Sequence, residues 1–185
     1  MRKIIVSNVI TLDGYFEGPN REIDWFVTDN EFFNYAVDLL HAVDTILYGR
    51  ITYEQMASFW PTPQGSILPD IAAKMNSLHK IVFSKTLANA AWNNSTVVNG
   101  DLADEIIKLK QQGGGDVVIF GSGQIVAALT QFGLIDEHRM ILCPVILGRG
   151  NTMFKGVENK VSLTLTHTKT FGNGTMVLYY VPVED

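Results

Sequence analysis

The chain has 185 residues, of which 46% are hydrophobic and 18% charged, with a formal net charge of −5 at pH 7. This composition excludes an intrinsically disordered chain, and the length predicts a single domain, residues 1–185, with a sizeable core. The acidic balance, with no dense run of Lys or Arg, argues against a nucleic-acid partner. No apolar stretch approaches the roughly 18 residues of a membrane span, and the N-terminus lacks the long apolar region of a signal peptide, so we expect a cytoplasmic protein.

Apolar runs and helical spacings alternate along the chain. In the first part we expect a strand at 4–9, a long loop at 11–23, a helix beginning near residue 28, a strand at 44–48, and helices at 52–59 and 69–78. In the second part we expect strands at 80–84 and 96–98, a helix at 101–112, a strand at 117–120, a helix to residue 132, and strands at 137–143, 161–166 and 176–181.

Three of these elements carry local signals at their ends. Thr28 and Glu31 fit a capping box, in which a hydroxyl and a carboxylate each bind a free amide at the start of a helix. Asp101 is placed to cap the helix that follows it. Gly172-Asn173-Gly174 predicts a hairpin turn between the last two strands. The apolar face expected for the first helix comprises Phe33, Ala36, Val37 and Leu40.

The order of the elements predicts the fold class. Strands that alternate with helices form parallel sheets, and the closing hairpin adds antiparallel strands. We therefore expect one α/β domain with a mostly parallel central sheet that ends in an antiparallel C-terminal hairpin.

The most informative strand end is Gly121-Ser122-Gly123-Gln124-Ile125, between a predicted strand and a helix. In open α/β sheets, ligands bind at the carboxyl ends of strands, where glycines allow close approach and helix amides face an anion. Val126 stands where the full dinucleotide fingerprint has a third glycine. The segment is therefore a partial phosphate-binding signal, and a plain strand–helix turn is the alternative.

Two further strand ends carry cations. Arg50, together with Thr52, follows one strand, and its planar guanidinium could bind a phosphate with two hydrogen bonds. The alternative for Arg50 is an exposed pair with Glu54, one helical turn away. Ser84 and Lys85 follow the next strand, where the alternative is a solvated turn.

Several kinds of chemistry lack their signatures in this sequence. The four histidines do not show metal-ligand spacing, and the one cysteine, Cys143, cannot build a cysteine-based zinc site, so we expect no metal. There is no G-x-S-x-G elbow and no Walker A lysine. A protein that binds a phosphorylated cofactor without its own nucleophile or metal leaves the reaction to the cofactor.

A set of short motifs, taken in the order in which they occur along the chain, resembles the dihydrofolate-reductase-like superfamily. The resemblance is closer to the RibD C-terminal-like family, the reductase domain of bacterial riboflavin biosynthesis. The motifs are Thr11-Leu12-Asp13-Gly14, Asp24-Trp25, the segment from Asp44 to Glu54, Phe83-Ser84-Lys85-Thr86-Leu87, Gly121-Ser122-Gly123, and Pro144 to Gly150 followed by Phe154. The resemblance covers nearly the whole chain and is to stand-alone, single-domain members. It implies a three-layer fold with helices on both faces of the sheet, an NADPH cofactor and a homodimer.

The resemblance also implies roles for individual residues. The cofactor-binding set comprises Val9, Gly14, Gly49, Arg50, Thr52, Ser84, Lys85, Gly121, Ser122, Gly123, Gln124 and Ile125. The substrate-binding set comprises Asp24, Trp25, Glu54 and Phe154, with Phe26 and Trp60 as further walls for a planar substrate. Asp13 and Tyr53 are the catalytic candidates, with Asp13 favoured as the proton donor.

The sequence thus predicts an NADPH-dependent reductase that transfers hydride to a C=N or C=O group of a small heterocyclic or sugar-linked substrate. The similarity is to 5-amino-6-(5-phosphoribosylamino)uracil reductase. A non-catalytic NADP-binding or interaction protein on the same scaffold is one alternative. A folate reductase proper is another, although Asp29 does not clearly occupy the place of the pteridine-binding carboxylate.

Overall fold

A computed structural model describes residues 1–183, which form an eight-stranded sheet, a separate two-stranded sheet and helices on both faces. The strands are β1 (Ile4–Thr11), β2 (Tyr15–Glu17), β3 (Val43–Gly49), β4 (His79–Phe83), β5 (Ser95–Val98), β6 (Asp116–Ile119), β7 (Glu137–Cys143), β8 (Asn151–Thr152), β9 (Leu163–Thr170) and β10 (Met176–Pro182). The α-helices are α1 (Asn30–Ala42), α2 (Arg50–Phe59), α3 (Pro69–Ser77), α4 (Leu102–Gln111) and α5 (Gly123–Gln131), with a short 3-10 turn at Gly65–Ile67.

The large sheet has the strand order β5-β4-β3-β6-β1-β7-β10-β9. All pairs from β5 to β7 are parallel, whereas β10 is antiparallel to both β7 and β9. The expected α/β fold, with a mostly parallel sheet and an antiparallel C-terminal hairpin, is confirmed.

The core lies in two layers because β1 and its parallel neighbours are covered on both faces. On one face, side chains of α1, α2 and α3 pack against the sheet; on the other, side chains of α4 and α5 do so. Ile4, Val6, Ile46 and Leu47 have no exposed surface, which explains why these strands read as nearly continuous apolar runs. The three-layer architecture implied by the resemblance is confirmed.

Several predicted boundaries and contacts are wrong. The loop predicted at 11–23 contains β2, which pairs with β8 rather than running free. Asp29, not Thr28, caps α1, and it accepts a hydrogen bond from the Phe32 amide at 2.8 Å. Glu31 instead accepts a hydrogen bond from the amide of Gly172 in the hairpin turn at 2.5 Å. A carboxylate reaching to a distant turn is a tertiary contact that a local capping pattern cannot reveal.

Two other elements shift relative to prediction. The second helix begins at Arg50, two residues before the predicted start at residue 52, with Gly49 as its cap. The strand expected at 161–166 is β9 at Leu163–Thr170, and all but one of its side chains are exposed, because β9 is the edge of the sheet with no described helix over it. No helix among residues 1–183 is both long and apolar enough to cross a membrane.

Candidate active site

The carboxyl ends of four neighbouring parallel strands meet at one edge of the sheet. Gly49 at the end of β3 pairs with Phe83 of β4, so Arg50 and Ser84 follow adjacent strands. Ile119 at the end of β6 pairs with Leu47 of β3 on one side and with Val6 of β1 on the other. The register therefore gathers the segments after β3, β4 and β6 around the second half of β1, where a ligand of an open α/β sheet binds.

Two hydrogen bonds hold the turn between β6 and α5 in place. The Ser122 amide donates to Thr52 Oγ1 at 3.0 Å, which ties this turn to α2. The Gly121 amide donates to Asn8 Oδ1, which ties it to β1. We call the group formed by Asn8, Gly49, Thr52, Gly121 and Ser122 the strand-end cradle.

The backbone of the cradle packs too closely for side chains at Gly49 and Gly121, and part of it has a left-handed conformation. A Cβ added at Gly121 would lie 2.7 Å from Thr52 Cγ2, and one added at Gly49 would collide with the Ser122 hydroxyl. Gly121 and Ser122 have φ values of 70° and 56°, in the left-handed region. Among residues 1–183 no side chain caps the first turn of α5, and the Ile125 amide bonds back to the Ser122 carbonyl at 3.0 Å, so the amides of Gly123 and Gln124 are the ones free for an anion.

The two cations expected at the carboxyl ends of the strands, Arg50 and Lys85, lie in different surroundings. Arg50 Nη1 donates to both carboxylate oxygens of Glu54, at 3.0 and 3.1 Å, and the two side chains are 41% and 48% exposed. An exposed pair of this kind contributes little stability, so Arg50 is free to exchange its partner. Ser84 and Lys85 line a hollow of about 310 Å³ beyond β4 and β5, where the Ser84 hydroxyl accepts from the amides of Thr86 and Leu87.

A cavity of about 570 Å³ opens beside the strand-end cradle, between the sheet and the helices α1, α2 and α3. Its size is within the usual range for a small-molecule site. The wall includes Asn8, Val9, Thr52 and Gly121. The aromatic side chains of the wall are Phe16, Phe26, Phe32, Tyr35, Phe59, Trp60 and Phe120. The cavity and the cradle thus share residues.

In three polar side chains of this wall, one buried atom has no hydrogen-bond partner among residues 1–183: Ser7 Oγ, Asn8 Nδ2 and the Tyr35 hydroxyl. All three side chains are more than nine-tenths buried. Burial raises the pKa of Tyr35 to about 12, opposed by the nearby Ser7 and Arg139 side chains. Tyr35 is therefore protonated at neutral pH and can donate a hydrogen bond.

Sequence reasoning missed these three residues, although β1 carries a signal for two of them. Ser7 and Asn8 are the polar pair in the otherwise apolar strand Ile4–Thr11, apart from its last residue. Polar side chains in a strand covered on both faces need partners, which makes them candidates for a site. Tyr35 lay outside the predicted face of α1, of which only Leu40 is fully buried. The buried residues of this helix are Tyr35, Leu39 and Leu40.

Comparison with known proteins agrees with this geometry. The family model for the RibD C-terminal domain matches residues 2–177. The chain belongs to this family. It is 33% identical over 183 residues to the uncharacterized protein YyaP of Bacillus subtilis (strain 168), covering 97% of this chain and 94% of YyaP.

Three solved structures share the fold of this RibD C-terminal domain protein. A Shewanella sp. PV-4 protein that bears a riboflavin-biosynthesis name has a TM-score of 0.77 at 23% identity, over 98% of this chain and 99% of that one. The Thermotoga maritima diaminohydroxyphosphoribosylaminopyrimidine deaminase/5-amino-6-(5-phosphoribosylamino)uracil reductase has a TM-score of 0.70 at 13% identity, and the match covers 98% of this chain and 57% of that one. Enterococcus faecalis dihydrofolate reductase, complexed with NADP(H), has a TM-score of 0.67 at 14% identity, and the match covers 98% of this chain and 97% of that one.

The family resemblance favoured Asp13 as proton donor, but its carboxylate is engaged elsewhere. It accepts hydrogen bonds from Thr11 Oγ1 at 2.7 Å, from the Gly148 amide at 2.7 Å and from the Leu147 amide at 3.1 Å. The Thr11 hydroxyl first, then these amides, lowers the pKa of Asp13 to about 2. Asp13 also does not line the cavity. This geometry favours a role in tying together the loops after β1 and β7.

The other catalytic and substrate candidates lie outside the cavity wall. Tyr53 is buried, and its hydroxyl accepts a hydrogen bond from the Trp92 amide at 2.9 Å. Asp24 and Glu54 are exposed, and Trp25 is half-buried. The centre of the Phe154 ring lies 6.2 Å from that of His138, whose Nε2 is within hydrogen-bond distance of Thr130 on α5. Of the aromatic walls expected around a planar substrate, Phe26 and Trp60 do line the cavity.

The remaining cofactor candidates divide between the edge and the core. Gly123 lies at the start of α5, where an added Cβ would lie 3.0 Å from the Phe16 ring, and Gln124 beside it is exposed. Ile125 is buried in the core. Gly14, with φ of 89°, lies in the turn before β2 and outside the cavity wall.

Proposed function

We propose that this RibD C-terminal domain protein is an NADPH-dependent reductase of a small molecule. The observation that carries the proposal is the shared wall: Asn8, Thr52 and Gly121 belong to both the strand-end cradle and the cavity. A dinucleotide with its phosphates at the cradle would extend its reactive ring into the cavity. The cradle fits such a group because its glycines let the turn after β6 pack tightly against α2, and α5 presents the free amides of Gly123 and Gln124 there.

When bound, NADPH would supply a hydride for a C=O or C=N carbon. Backbone amides of Gly123 and Gln124 at the start of α5 would hold its pyrophosphate, and Arg50 would exchange Glu54 for the 2′-phosphate. The apolar cavity would exclude water and hold the substrate in position. The protonated Tyr35 hydroxyl would donate a hydrogen bond to the oxygen or nitrogen of the reacting group.

The test is calorimetric titration of the protein with NADPH and, separately, with NADH. We expect Arg50→Ala to weaken NADPH binding at least tenfold, roughly 1.4 kcal/mol, with a smaller effect on NADH, because only NADPH carries the 2′-phosphate. Lys108→Ala is the matched control, since Lys108 forms an exposed ion pair with Glu105 on α4 and should leave both affinities unchanged. Equal losses for both cofactors would remove Arg50 from the 2′-phosphate site.

Cofactor binding alone would not separate a reductase from a non-catalytic NADP-binding protein. Oxidation of NADPH, followed by absorbance during a screen of ring carbonyl and imine compounds, makes this distinction. Dihydrofolate belongs in the same screen. The structure provides no carboxylate from α1 for a pteridine in the cavity wall, since Asp29 caps the helix and does not line the cavity.

We also propose that the protein is a cytoplasmic homodimer, as expected from the sequence. The edge strand β9 supports a dimer, because Leu163 and Leu165 are 37% and 48% exposed on a strand with one side unpaired. Ile141 and Cys143 of β7, by contrast, are buried inside the sheet. Light scattering should give about twice the chain mass of 20.5 kDa, and a value near one chain would contradict the dimer.

A further inference from the structure

We infer that the substrate is a neutral, flat, largely apolar ring compound that offers a hydrogen-bond acceptor and carries no phosphate. The inference rests on the proposed function, because it takes the cavity of about 570 Å³ as the substrate site. It departs from the phosphoribosyl compound in the name of the Thermotoga maritima enzyme, which shares the fold at 13% identity.

The first reason is the shape and polarity of the wall. Aromatic rings come from several separate elements, including Phe16 on β2, Phe32 and Tyr35 on α1, and Phe59 on α2. Aliphatic side chains such as Ile141 also line the wall. Aromatic walls favour flat ligands, because stacked and edge-to-face contacts add to the burial of apolar surface. A ribose phosphate has little apolar surface to offer such a wall.

The second reason is charge. The charged side chains of the wall are Glu17 and Arg21, of opposite sign. The Glu17 carboxylate accepts a hydrogen bond from Asn151 Nδ2 at 2.8 Å. A phosphate monoester carries close to two negative charges and needs several donors or cations. Here it would meet one exposed guanidinium and one carboxylate, so the wall is a poor receptor for it.

The third reason is the polar group formed by Ser7, Asn8 and Tyr35. Asn8 Oδ1 accepts from the Gly121 amide, so its unpaired atom is the donor Nδ2. The Tyr35 hydroxyl is also protonated, and although the Ser7 and Arg139 side chains lie near it, neither forms a hydrogen bond of good geometry with it. Buried donors without partners are rare in folded proteins. The Ser7 hydroxyl, Asn8 Nδ2 and the Tyr35 hydroxyl belong to residues of one cavity wall and call for an acceptor on the ligand, which a ring carbonyl or ring nitrogen provides.

Titration calorimetry with two probes tests the ligand class directly. Quinazolin-4(3H)-one is neutral, flat and carries both a carbonyl and a C=N bond, whereas uridine 5′-monophosphate carries a ribose phosphate. We expect quinazolin-4(3H)-one to bind saturably and at least tenfold more tightly than uridine 5′-monophosphate. Absence of saturable binding by the neutral ring, or equal or tighter binding of the phosphate, would overturn the inference.

Substitutions test whether the polar group recognises the ligand. We expect Ser7→Ala and Tyr35→Phe each to weaken quinazolin-4(3H)-one binding about tenfold while leaving the thermal midpoint of the free protein unchanged or higher. The second effect follows because each removes a buried hydroxyl without a partner. Tyr48→Phe is the matched control, since Tyr48 is also buried with an unpaired hydroxyl but lies outside the cavity wall. Unchanged binding in both Ser7→Ala and Tyr35→Phe would contradict the assignment.

The two proposals fail in different ways. If the neutral ring binds but NADPH does not, the reductase proposal fails and the ligand class of the cavity stands. If NADPH binds as expected and uridine 5′-monophosphate is preferred to the neutral ring, the reductase proposal stands and the inferred substrate class fails. The Arg50→Ala titration reports on the first and the probe pair on the second.

Discussion

The Ser122 amide donates a hydrogen bond to Thr52 Oγ1 at 3.0 Å, across 70 residues of sequence. This contact joins the turn after β6 to the first turn of α2. It fixes the left-handed backbone at Ser122 and orients the free amides at the start of α5. The position of the backbone that we propose binds a phosphate therefore depends on a side chain from a different strand end.

Thr52→Val removes the acceptor of that hydrogen bond while keeping the shape of the side chain. We expect the free energy of unfolding to fall by about 1–3 kcal/mol, because the Ser122 amide loses its partner, and NADPH affinity to fall about tenfold. Thr52→Ser keeps the hydroxyl and should retain most of both. Denaturant unfolding and calorimetric titration measure the two effects, and equal behaviour of the two variants would show that the hydroxyl does not matter.

Gly49 and Ser122 form a second pair that can be tested by a double-mutant cycle. Gly49→Ala should displace the Ser122 hydroxyl, since an added Cβ would collide with it, and weaken NADPH binding about tenfold. Ser122→Gly should weaken binding similarly while relieving the left-handed strain, worth about 1 kcal/mol. Because both changes act on one hydroxyl, the double variant should bind no worse than Ser122→Gly alone. Additive losses would show that the two residues act independently.

Asp13→Asn separates a structural role from a proton-donor role. The carboxylate accepts three hydrogen bonds, and these lower its pKa to about 2, which favours the ionised form over the proton donor at neutral pH. We expect a lower thermal midpoint and a loss of turnover smaller than tenfold, with an unchanged pH profile of kcat. The sequence-based hypothesis predicts a lower kcat with little change in cofactor affinity, and loss of a general acid typically lowers kcat about 100-fold or more. Thermal unfolding and a kcat–pH profile on any accepted substrate distinguish the two.

His138 makes the fold less stable in acid. It is buried, and burial lowers its pKa from 6.5 to about 4. Between these values the unfolded chain binds the proton and the folded chain does not, so stability is complete above pH 6.5 and falls as the pH drops towards 4. The loss should be on the order of 3 kcal/mol. We expect urea unfolding of His138→Leu to show a smaller difference between pH 7.5 and 4.5 than the parent protein.

His167→Gln serves as the control for this measurement, because His167 is exposed on the edge strand β9. It should keep the pH dependence of the parent protein. If His138→Leu also keeps that dependence, the acid lability comes from other groups.

Local patterns predicted most of the fold. The apolar runs of β3, β4 and β7 and the glycine-bounded hairpin between β9 and β10 were visible because burial and turn geometry act through neighbouring residues. The predictions were wrong where a contact between residues far apart in sequence determines the local structure. Glu31 turns to the Gly172 amide rather than to its own helix. Strand β2 forms because β8, more than 130 residues later, pairs with it.

The sequence by itself determined the family and the α/β fold, and it predicted the strand ends at which we propose that a phosphate binds, since these follow from hydrophobic period, glycine placement and ordered motifs. Only the tertiary structure decided which residues share a wall. It brought Ser7, Asn8 and Tyr35 into one cavity and placed Asp13 and Tyr53 outside it. Burial and hydrogen-bond pairing depend on what a folded chain places opposite each side chain, and that is not a property of the local sequence.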